Sequence, residues 1–289
     1  MRYPSLTAGR CDTCYSKSMS EPKPPSPAAT PRRFRWRRLV QYRLRTLLIL
    51  TTIVAVWFAW WSHTARQQRE AVADFKEHKA WVHYDYRLPL IGRVDDPPRS
   101  LRWLVEHMGE DYFFNVMALG LGIVPMNEGS LEPLKNLTSL EELSLSNVQL
   151  RDAHMKHLRG LIRLKKLDLS WTTITDAGVE NLQNLTTLET LTLTSTHITD
   201  DGLKHFRGLK SLEQLDLMHT NVTDAGLEYL RGLTRLSHLD LFNTNITDDG
   251  LKHLLGLTEL RLLGLGKTQV TDAGAKRLQQ ALPHCTIIR

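Results

Sequence analysis

A 24-residue unit occurs six times in succession between Leu137 and Gln280, with no insertion or deletion between the copies. The clearest copy is LKSLEQLDLMHTNVTDAGLEYLRG, which covers residues 209–232. A seventh, less regular copy begins at Phe113 and is in register with the others. Self-similarity at a fixed period of this length is typical of a solenoid, in which each unit packs against its neighbours.

Each copy has two halves with different periodicities. The first half carries leucines in the pattern L-x-x-L-x-L, and the last pair of leucines alternates as a strand requires. The second half opens with Thr-Asp or Arg-Asp before apolar residues at helical spacing, so we expect Thr223 or Asp224 to accept the first free N–H groups of a short helix. The residue before each new copy is of a type that tolerates the left-handed conformation at which helices end, namely Asn136, Gly160, Asn184, Gly208, Gly232 and Gly256.

A single unit cannot be stable alone, because its few aliphatic side chains do not offset the entropy lost in ordering its backbone. Neighbouring units must therefore stack their strands and share their apolar contacts. The sequence predicts one continuous parallel sheet, with the short helical segments on the opposite side of a leucine core. This is the architecture of an α/β solenoid.

The repeats resemble the leucine-rich-repeat family over residues 113–289. That resemblance implies an arc with the parallel sheet on its concave face and short helices outside. The family pattern has Asn or Cys at its ninth place, where this chain has one valine and five threonines: Val148, Thr172, Thr196, Thr220, Thr244 and Thr268. We expect the threonine hydroxyls to bond the loop backbone of the neighbouring coil instead.

A second strong signal lies before the repeats, in residues 46–65. These 20 residues contain no Asp, Glu, Lys or Arg, and as a helix they would span about 30 Å, the thickness of a bilayer's hydrocarbon core. Trp57, Trp60 and Trp61 lie toward the far end, where an aromatic belt meets the membrane interface. The alternative, a buried helix of a soluble protein, would need another large apolar surface around it. The segment is predicted to be a single transmembrane helix.

The flanking charges predict the orientation of this helix. Seven arginines between Arg32 and Arg45 precede it, whereas basic and acidic residues are mixed in the stretch that follows. The positive-inside rule therefore places the N-terminus in the cytoplasm and the repeats outside it, on a cell (inner) membrane. We expect an uncleaved anchor rather than a signal peptide, because the segment ends in tryptophans and has no A-x-A-like cleavage site. The arginines are expected to contact anionic lipid head groups.

The rest of the chain is assigned from its composition. Glu21 to Pro31 is too rich in proline to pack a core, and Cys11 and Cys14 have the spacing of half a zinc site without a second ligand pair. Translation from Met19 would remove both cysteines. The predicted segments are a disordered tail (1–31), a basic segment (32–45), the transmembrane helix (46–65), a stalk of helix and strand (66–98), a cap helix (99–112) and the repeat domain (113–289) with a closing strand (285–288).

The charge is distributed unevenly along the chain. Residues 1–45 contain 11 Lys and Arg against 2 Asp and Glu, whereas residues 113–289 contain 18 against 20. The repeat region is therefore nearly neutral and lacks the broad basic surface that nucleic-acid binding requires. No nucleic-acid partner is predicted. The stalk and cap, joined to an arginine-flanked N-terminal span, also resemble bacterial membrane-anchored leucine-rich-repeat proteins.

The candidate binding residues flank the strand leucines and should point to the concave side. Strands about 4.8 Å apart would place Asp216 beside Asp240. Met218 and Phe242 are expected to be exposed there, and such a mixture of apolar and charged side chains is typical of a protein-binding surface. The predicted residues for a protein or other polymeric partner are Asp168, Trp171, Asp216, Met218, His219, His238, Asp240, Phe242 and Asn243.

Two other functions are weighed against protein binding at a membrane. One is a metal-dependent hydrolase that uses Asp216, Asp240 and His238, but adjacent aspartates are most often a solvated surface, and an open sheet does not desolvate them. No Gly-rich phosphate loop, H-E-x-x-H or nucleophile elbow occurs, so no cofactor, metal or catalysis is predicted. The repeats also resemble those of ubiquitin-ligase substrate receptors. An intracellular adaptor of that kind is disfavoured by the missing F-box and by the apolar span.

Overall fold

The computed structural model describes residues 36–77, 80–85, 115–121 and 129–289. The predicted tail, the Cys11–Cys14 pair and the cap helix 99–112 lie outside the described residues, as do the side chains of the basic segment 32–45. Contacts divide the chain into two units, residues 1–53 and 54–289. The first unit is described only as the beginning of a long helix.

That helix, α1, runs without a break from Trp36 to Glu77 over 42 residues. Its segment Thr46–Glu77 is long and apolar enough to cross a membrane, and 0% of its most apolar 18-residue window is buried. A core helix of a soluble protein would bury much of this window, whereas a signal sequence would not. The sequence analysis separated a span (46–65) from a following stalk helix, and both lie on this one element.

Within the described residues the sheet has nine strands, and strands that are neighbours in space are also neighbours in sequence. Strands β2 to β9 are parallel, and β1 is antiparallel to β2. The register advances by one repeat from strand to strand, so that Leu143 pairs with Leu167 and Leu167 with Leu191. The strands are β1 Trp81–Asp85, β2 Asn115–Gly120, β3 Glu142–Ser144, β4 Lys166–Asp168, β5 Thr190–Thr192, β6 Gln214–Asp216, β7 His238–Asp240, β8 Leu262–Gly264 and β9 Thr286–Ile288.

Short helical segments alternate with the strands, and segments of successive coils contact one another. Most are single turns of 3₁₀ or α-helix, and only the last extends to 10 residues. The predicted α/β solenoid is confirmed. The α-helical segments are Asp176–Val179, Asp200–Leu203, Asp224–Leu227 and Asp272–Ala281, and the 3₁₀ segments are Glu132–Asn136, Asp152–Leu158, Glu180–Leu182, Lys204–Gly208, Glu228–Leu230 and Gly250–His253.

One apolar cluster runs through all the coils between the sheet and the helical segments. The three leucines of each strand pattern are nearly inaccessible to solvent in every copy. Each buried leucine contributes about 2 kcal/mol of hydrophobic stabilisation relative to an exposed one. Cys285 closes the cluster before β9, and burial raises the pKa of its thiol, which keeps it a protonated packing residue at neutral pH.

The N-terminal end of this core is covered by the end of α1 and by β1. Ala71, Val72 and Phe75 of α1 and Tyr84 of β1 are buried in the same cluster as the repeat leucines. Lys76 donates to the Tyr84 hydroxyl at 3.3 Å. The sequence analysis assigned these residues to a stalk. In the structure they pack as part of the repeat unit, because an uncovered first coil would expose its leucines to water.

Each coil is joined to the next by a bidentate carboxylate contact. Asp200, for example, accepts the backbone N–H of Thr223 at 2.8 Å and its hydroxyl at 2.6 Å. Either the threonine or the aspartate of each Thr-Asp pair was expected to cap the helix that follows, and the threonine does so at Thr175, Thr199 and Thr271. The carboxylates that bond the next coil in this way are Asp152, Asp176, Asp200, Asp224 and Asp248.

The glycine of the T-D-x-G motif makes room for this contact. A Cβ atom at Gly226 would lie 2.3 Å from Oδ1 of Asp200, a distance that real Cβ atoms do not tolerate. The same crowding occurs at Gly178, Gly202, Gly250 and Gly274. The glycine is therefore required by an aspartate 26 positions earlier in the chain, and no local turn explains it.

Two predictions were wrong, one about the turn after each strand and one about the end of each helical segment. The threonines at the family's ninth place donate to the carbonyl three residues earlier in their own coil, as Thr220 does to Leu217 at 2.6 Å, and not to the neighbouring coil. The reason is the preceding residue, which has a positive φ and turns the chain back on its strand. These left-handed residues are Asn147, Trp171, Ser195, His219, Asn243 and Lys267, and the predicted Asn and Gly positions before each copy are not among the left-handed residues.

Neighbouring aspartates in one helical turn test the bidentate contact. Asp200→Ala removes two hydrogen bonds to a charged acceptor and should lower the free energy of unfolding by about 2–3 kcal/mol. The matched control is Asp201→Ala, which loses only an exposed 3.3 Å pair with Lys204 and should change it by about 0.5 kcal/mol or less. Equal effects of the two substitutions in denaturant unfolding would contradict this role.

Candidate functional site

The candidate site is the exposed side of strands β3 to β8, which we call the sheet face. Along each strand the central leucine points into the core, and the two residues beside it are partly or fully exposed, except for Gly264. In-register pairing aligns equivalent residues of successive coils in rows across the face. The period-2 alternation of a strand thus turns a sequence repeat into an ordered surface.

Three of the predicted residues share one row of the sheet face. Asp216 is the direct strand partner of Asp240, and Thr192 separates Asp168 from Asp216. Each carboxylate accepts the backbone N–H of the residue two positions later, at 3.0 Å for Asp168 and 2.9 Å for the other two. These bonds fix the carboxylates at the ends of their strands.

Among the ion pairs of the described residues, none involves these three aspartates. On the same face Glu142 is paired with Lys166 of the next coil at 2.7 Å. The sheet face therefore neutralises an acid near its first coils and leaves the carboxylates of β6 and β7 without a cation.

The environment of Asp216 disfavours its charge. Burial raises the pKa of this carboxyl, and the nearby charges of Asp240 and Asp168 raise it further. The N–H of Met218 and the hydroxyl of Thr194 act in the opposite direction, but they do not cancel the effect of burial. An aspartate with a raised pKa in the folded state stabilises the fold only at low pH, and that contribution is lost as the pH rises through the folded pKa.

Phe242 was expected to be exposed and is half-buried instead. Its ring lies over Gly266, where a Cβ atom would come within 2.7 Å of the ring. The ring of His219 approaches its edge with centroids 5.5 Å apart, and Nζ of Lys267 lies 5.2 Å from its centroid. Met218 is also half-buried. The expectation failed because glycine in the next coil allows a large side chain to lie along the sheet.

A depression of about 270 Å³ occupies the C-terminal part of the sheet face. Asp216, Asp240 and Phe242 line it, together with Leu262 and Ile288. Leu262 and Ile288 were not among the predicted binding residues. A Gly-x-Gly strand end, at positions where the five preceding copies carry side chains, was the available signal for this depression. The glycines concerned are Gly264 and Gly266.

Three of the remaining predicted residues lie at the edge of the face, whereas His238 lies on β7 and lines the depression. Trp171, His219 and Asn243 are exposed and hold the left-handed turn positions of their coils. His219 and Asn243 bond each other at 2.9 Å between Nδ1 and Nδ2. His238 is exposed, and its Nδ1 bonds the hydroxyl of Ser237 at 2.8 Å. Within the described part of the chain, no three His, Cys, Asp or Glu side chains converge to hold a metal ion.

Comparison with known proteins identifies a matching family and solved structures that are similar to the repeats. The family described as "Leucine-rich repeat region" matches residues 123–287. Among solved structures, internalin InlF from Listeria monocytogenes is similar at a TM-score of 0.51 and 24% identity, over 65% of this chain and 53% of that protein. Internalin C2 of the same organism is similar at a TM-score of 0.50 and 26% identity, over 60% of this chain and 70% of that one.

This chain therefore spans about half the length of internalin InlF, and that likeness shows the fold. No curated protein sequence matches the chain. The two structures support the architecture of the coils, and the chemistry of the sheet face has to be argued from its own residues.

The charge row can be tested by titration. Asp240→Asn removes the nearest negative charge, so the pKa of Asp216 should fall, yet burial should keep it above the value of an exposed aspartate. Asp168→Asn, which lies two strands away, should lower it less. Carboxyl carbon chemical shifts followed by NMR over acidic pH measure both. An Asp216 titration unaffected by Asp240→Asn would show that the two charges do not interact.

Proposed function

Because the chain belongs to the leucine-rich-repeat family, we propose that it is a single-pass membrane protein that presents its sheet face to a protein partner outside the cytoplasm. The partner binds across strands β4 to β7 and their C-terminal turns. The protein acts by binding and performs no catalysis. In this proposal α1 is the anchor, and the arginines before it contact anionic lipid on the cytoplasmic side of a cell membrane.

The observation that carries this proposal is the position of Trp171. Its side chain is 62% exposed, and its φ of 58° is a conformation that costs a bulky L-residue about 1–2 kcal/mol. Most other coils place a small or readily left-handed residue there, such as Asn147, Ser195 or Asn243. An exposed indole at a strained position contributes nothing to folding. Tryptophan is, however, among the residues that contribute most to protein interfaces.

The chemistry of the rest of the face supports the same conclusion. Half-buried Met218 and Phe242 lie beside carboxylates that have no cation partner among the described residues. The face is open, so it does not enclose a substrate as an active site does. A surface with apolar side chains and fixed hydrogen-bonding groups fits a partner protein.

Membrane anchoring is supported by the exposure and length of α1. The side chains of residues 46–60 are exposed, and they include Trp57 and Trp60 near the end of the apolar stretch. The same helix continues to Ala71, Val72 and Phe75, which are buried in the repeat core. Exposure of this apolar surface to water is unfavourable, whereas the hydrocarbon core of a bilayer favours it. A cleaved signal sequence is the alternative, and it would separate this stretch from the core.

A pair of reporters tests the anchor and its orientation. A phosphatase that is active only outside the cytoplasm, fused after Arg289, should be active in intact cells, because the arginines hold the N-terminus inside. An N-terminal epitope tag should remain on the same polypeptide and resist external protease. Loss of the tag from the mature protein would indicate a cleaved signal peptide, and an inactive phosphatase would contradict the orientation.

Site-specific cross-linking tests the sheet face. A photo-reactive amino acid at Ser195, beside Trp171 in the row of left-handed residues, should capture a discrete partner in intact cells. Trp171→Asn should abolish this product while leaving thermal stability unchanged or higher, because asparagine accepts the left-handed conformation. Ile162→Asn is the matched control, since Ile162 is 63% exposed but precedes β4. Equal cross-linking in both variants would refute the role of this face.

A further inference from the structure

The depression at the C-terminal end of the sheet face combines two kinds of wall. One is acidic: Asp216 and Asp240 are direct strand partners, and their Oδ1 atoms are already held by backbone N–H groups. The other is apolar and aromatic, formed by Phe242, Leu262 and Ile288. Glycines at 264 and 266 keep the depression open, because a Cβ atom at either would collide with Asp240 or Phe242.

The acidic wall has no cation of its own among the described residues. Elsewhere in the array, several acids near the strands are paired with a base of the next coil, as Glu142 is with Lys166 and Glu213 with Arg235 at 2.5 Å. Asp216 and Asp240 have no such pair among the described residues, and neither has Asp168. At Asp216, burial and the nearby charge of Asp240 both oppose ionisation.

The apolar wall is an independent feature and narrows the choice of occupant. Its aromatic ring is already in contact with a cation, since Nζ of Lys267 lies 5.2 Å from the centroid of Phe242. Lys267 does not line the depression. An occupant must therefore present a hydrocarbon surface to Leu262, Phe242 and Ile288 and a positive charge to the carboxylates.

Building on the proposed function, we propose that this depression receives a single arginine or lysine side chain of the partner protein. The aliphatic stem of such a side chain packs on Leu262 and Ile288, and its charged end reaches Asp216 and Asp240. Arginine suits the site better, because its planar guanidinium can bond two adjacent carboxylates. The depression thereby selects a basic residue at one point of the interface.

A metal ion fits these residues less well. In the described part of the chain the two carboxylates lack a converging third ligand, and the Nδ1 of His238 is engaged with Ser237 at 2.8 Å. A free anion would be repelled. A wholly apolar side chain would leave the carboxylates buried without compensation.

The experiment uses the full chain in lipid nanodiscs and a displayed library of random peptides as the probe. Selected peptides should contain arginine or lysine. In a selected peptide that contains arginine, replacing the arginine with citrulline, which has nearly the same shape but no charge, should weaken binding at least tenfold. In the double variant Asp216→Asn/Asp240→Asn the two peptides should bind equally. Asp201→Asn, an exposed acid away from the sheet face, should retain the discrimination.

Folding of the double variant is measured separately from its peptide binding. Thermal unfolding of the double variant should occur at the same or a higher temperature, because it removes two unpaired like charges. Selection of peptides without a basic residue, or equal affinity of the wild type for arginine and citrulline, would overturn the proposal. So would stoichiometric Ca²⁺ binding, measured by calorimetry and lost in the double variant. Each of these outcomes leaves the proposed function standing, provided that Trp171→Asn still abolishes cross-linking.

Discussion

Each coil of this protein is completed by the next one. The leucines of one strand pattern cannot exclude water alone, and the carboxylate of one coil bonds the backbone and hydroxyl of a threonine 23 residues later. The glycine of the same motif exists to admit that carboxylate. The short sequence Thr-Asp-x-Gly therefore connects three coils. It begins the helix of its own coil, its threonine and glycine contact the aspartate of the preceding coil, and its aspartate bonds the threonine of the following coil.

This mutual dependence determines how the array ends. A first coil without a predecessor would expose its leucines, and here the end of α1 and the strand β1 cover them. The helix that carries the apolar, exposed stretch thus also belongs to the folded core of the repeats. Residues 54–77 of this helix belong to the same compact unit as the coils, and the helix runs through them without a break.

The same dependence leaves the sheet face free to vary. Core leucines, clamping aspartates and glycines are repeated in nearly every copy, whereas the residues beside the strand leucines differ from coil to coil. Local rules are broken on that face and at its edge. Trp171 occupies a left-handed position, and Asp216 and Asp240 repel each other in a partly desolvated row. Folding does not require these features, and the proposed binding partner would account for them.

Much of the fold followed from the sequence, because a strict period with alternating leucines admits one register. The strands, their order, the short helical segments and the adjacency of Asp216 and Asp240 are all consequences of 24-residue spacing. The core leucines could be assigned from the pattern alone.

What the sequence could not decide involves atoms one or more coils away. The aspartate of the Thr-Asp-x-Gly motif bonds the next coil and not its own helix, because the N–H and the hydroxyl of a threonine lie close together in that coil. Phe242 is half-buried because coil six happens to have glycine beneath it, and Ile288 joins the depression because β9 pairs with β8. Phe75 and Tyr84 enter the core because the open end of a solenoid must be covered. Only tertiary packing brings such groups into contact, because a one-dimensional pattern contains no distances between coils.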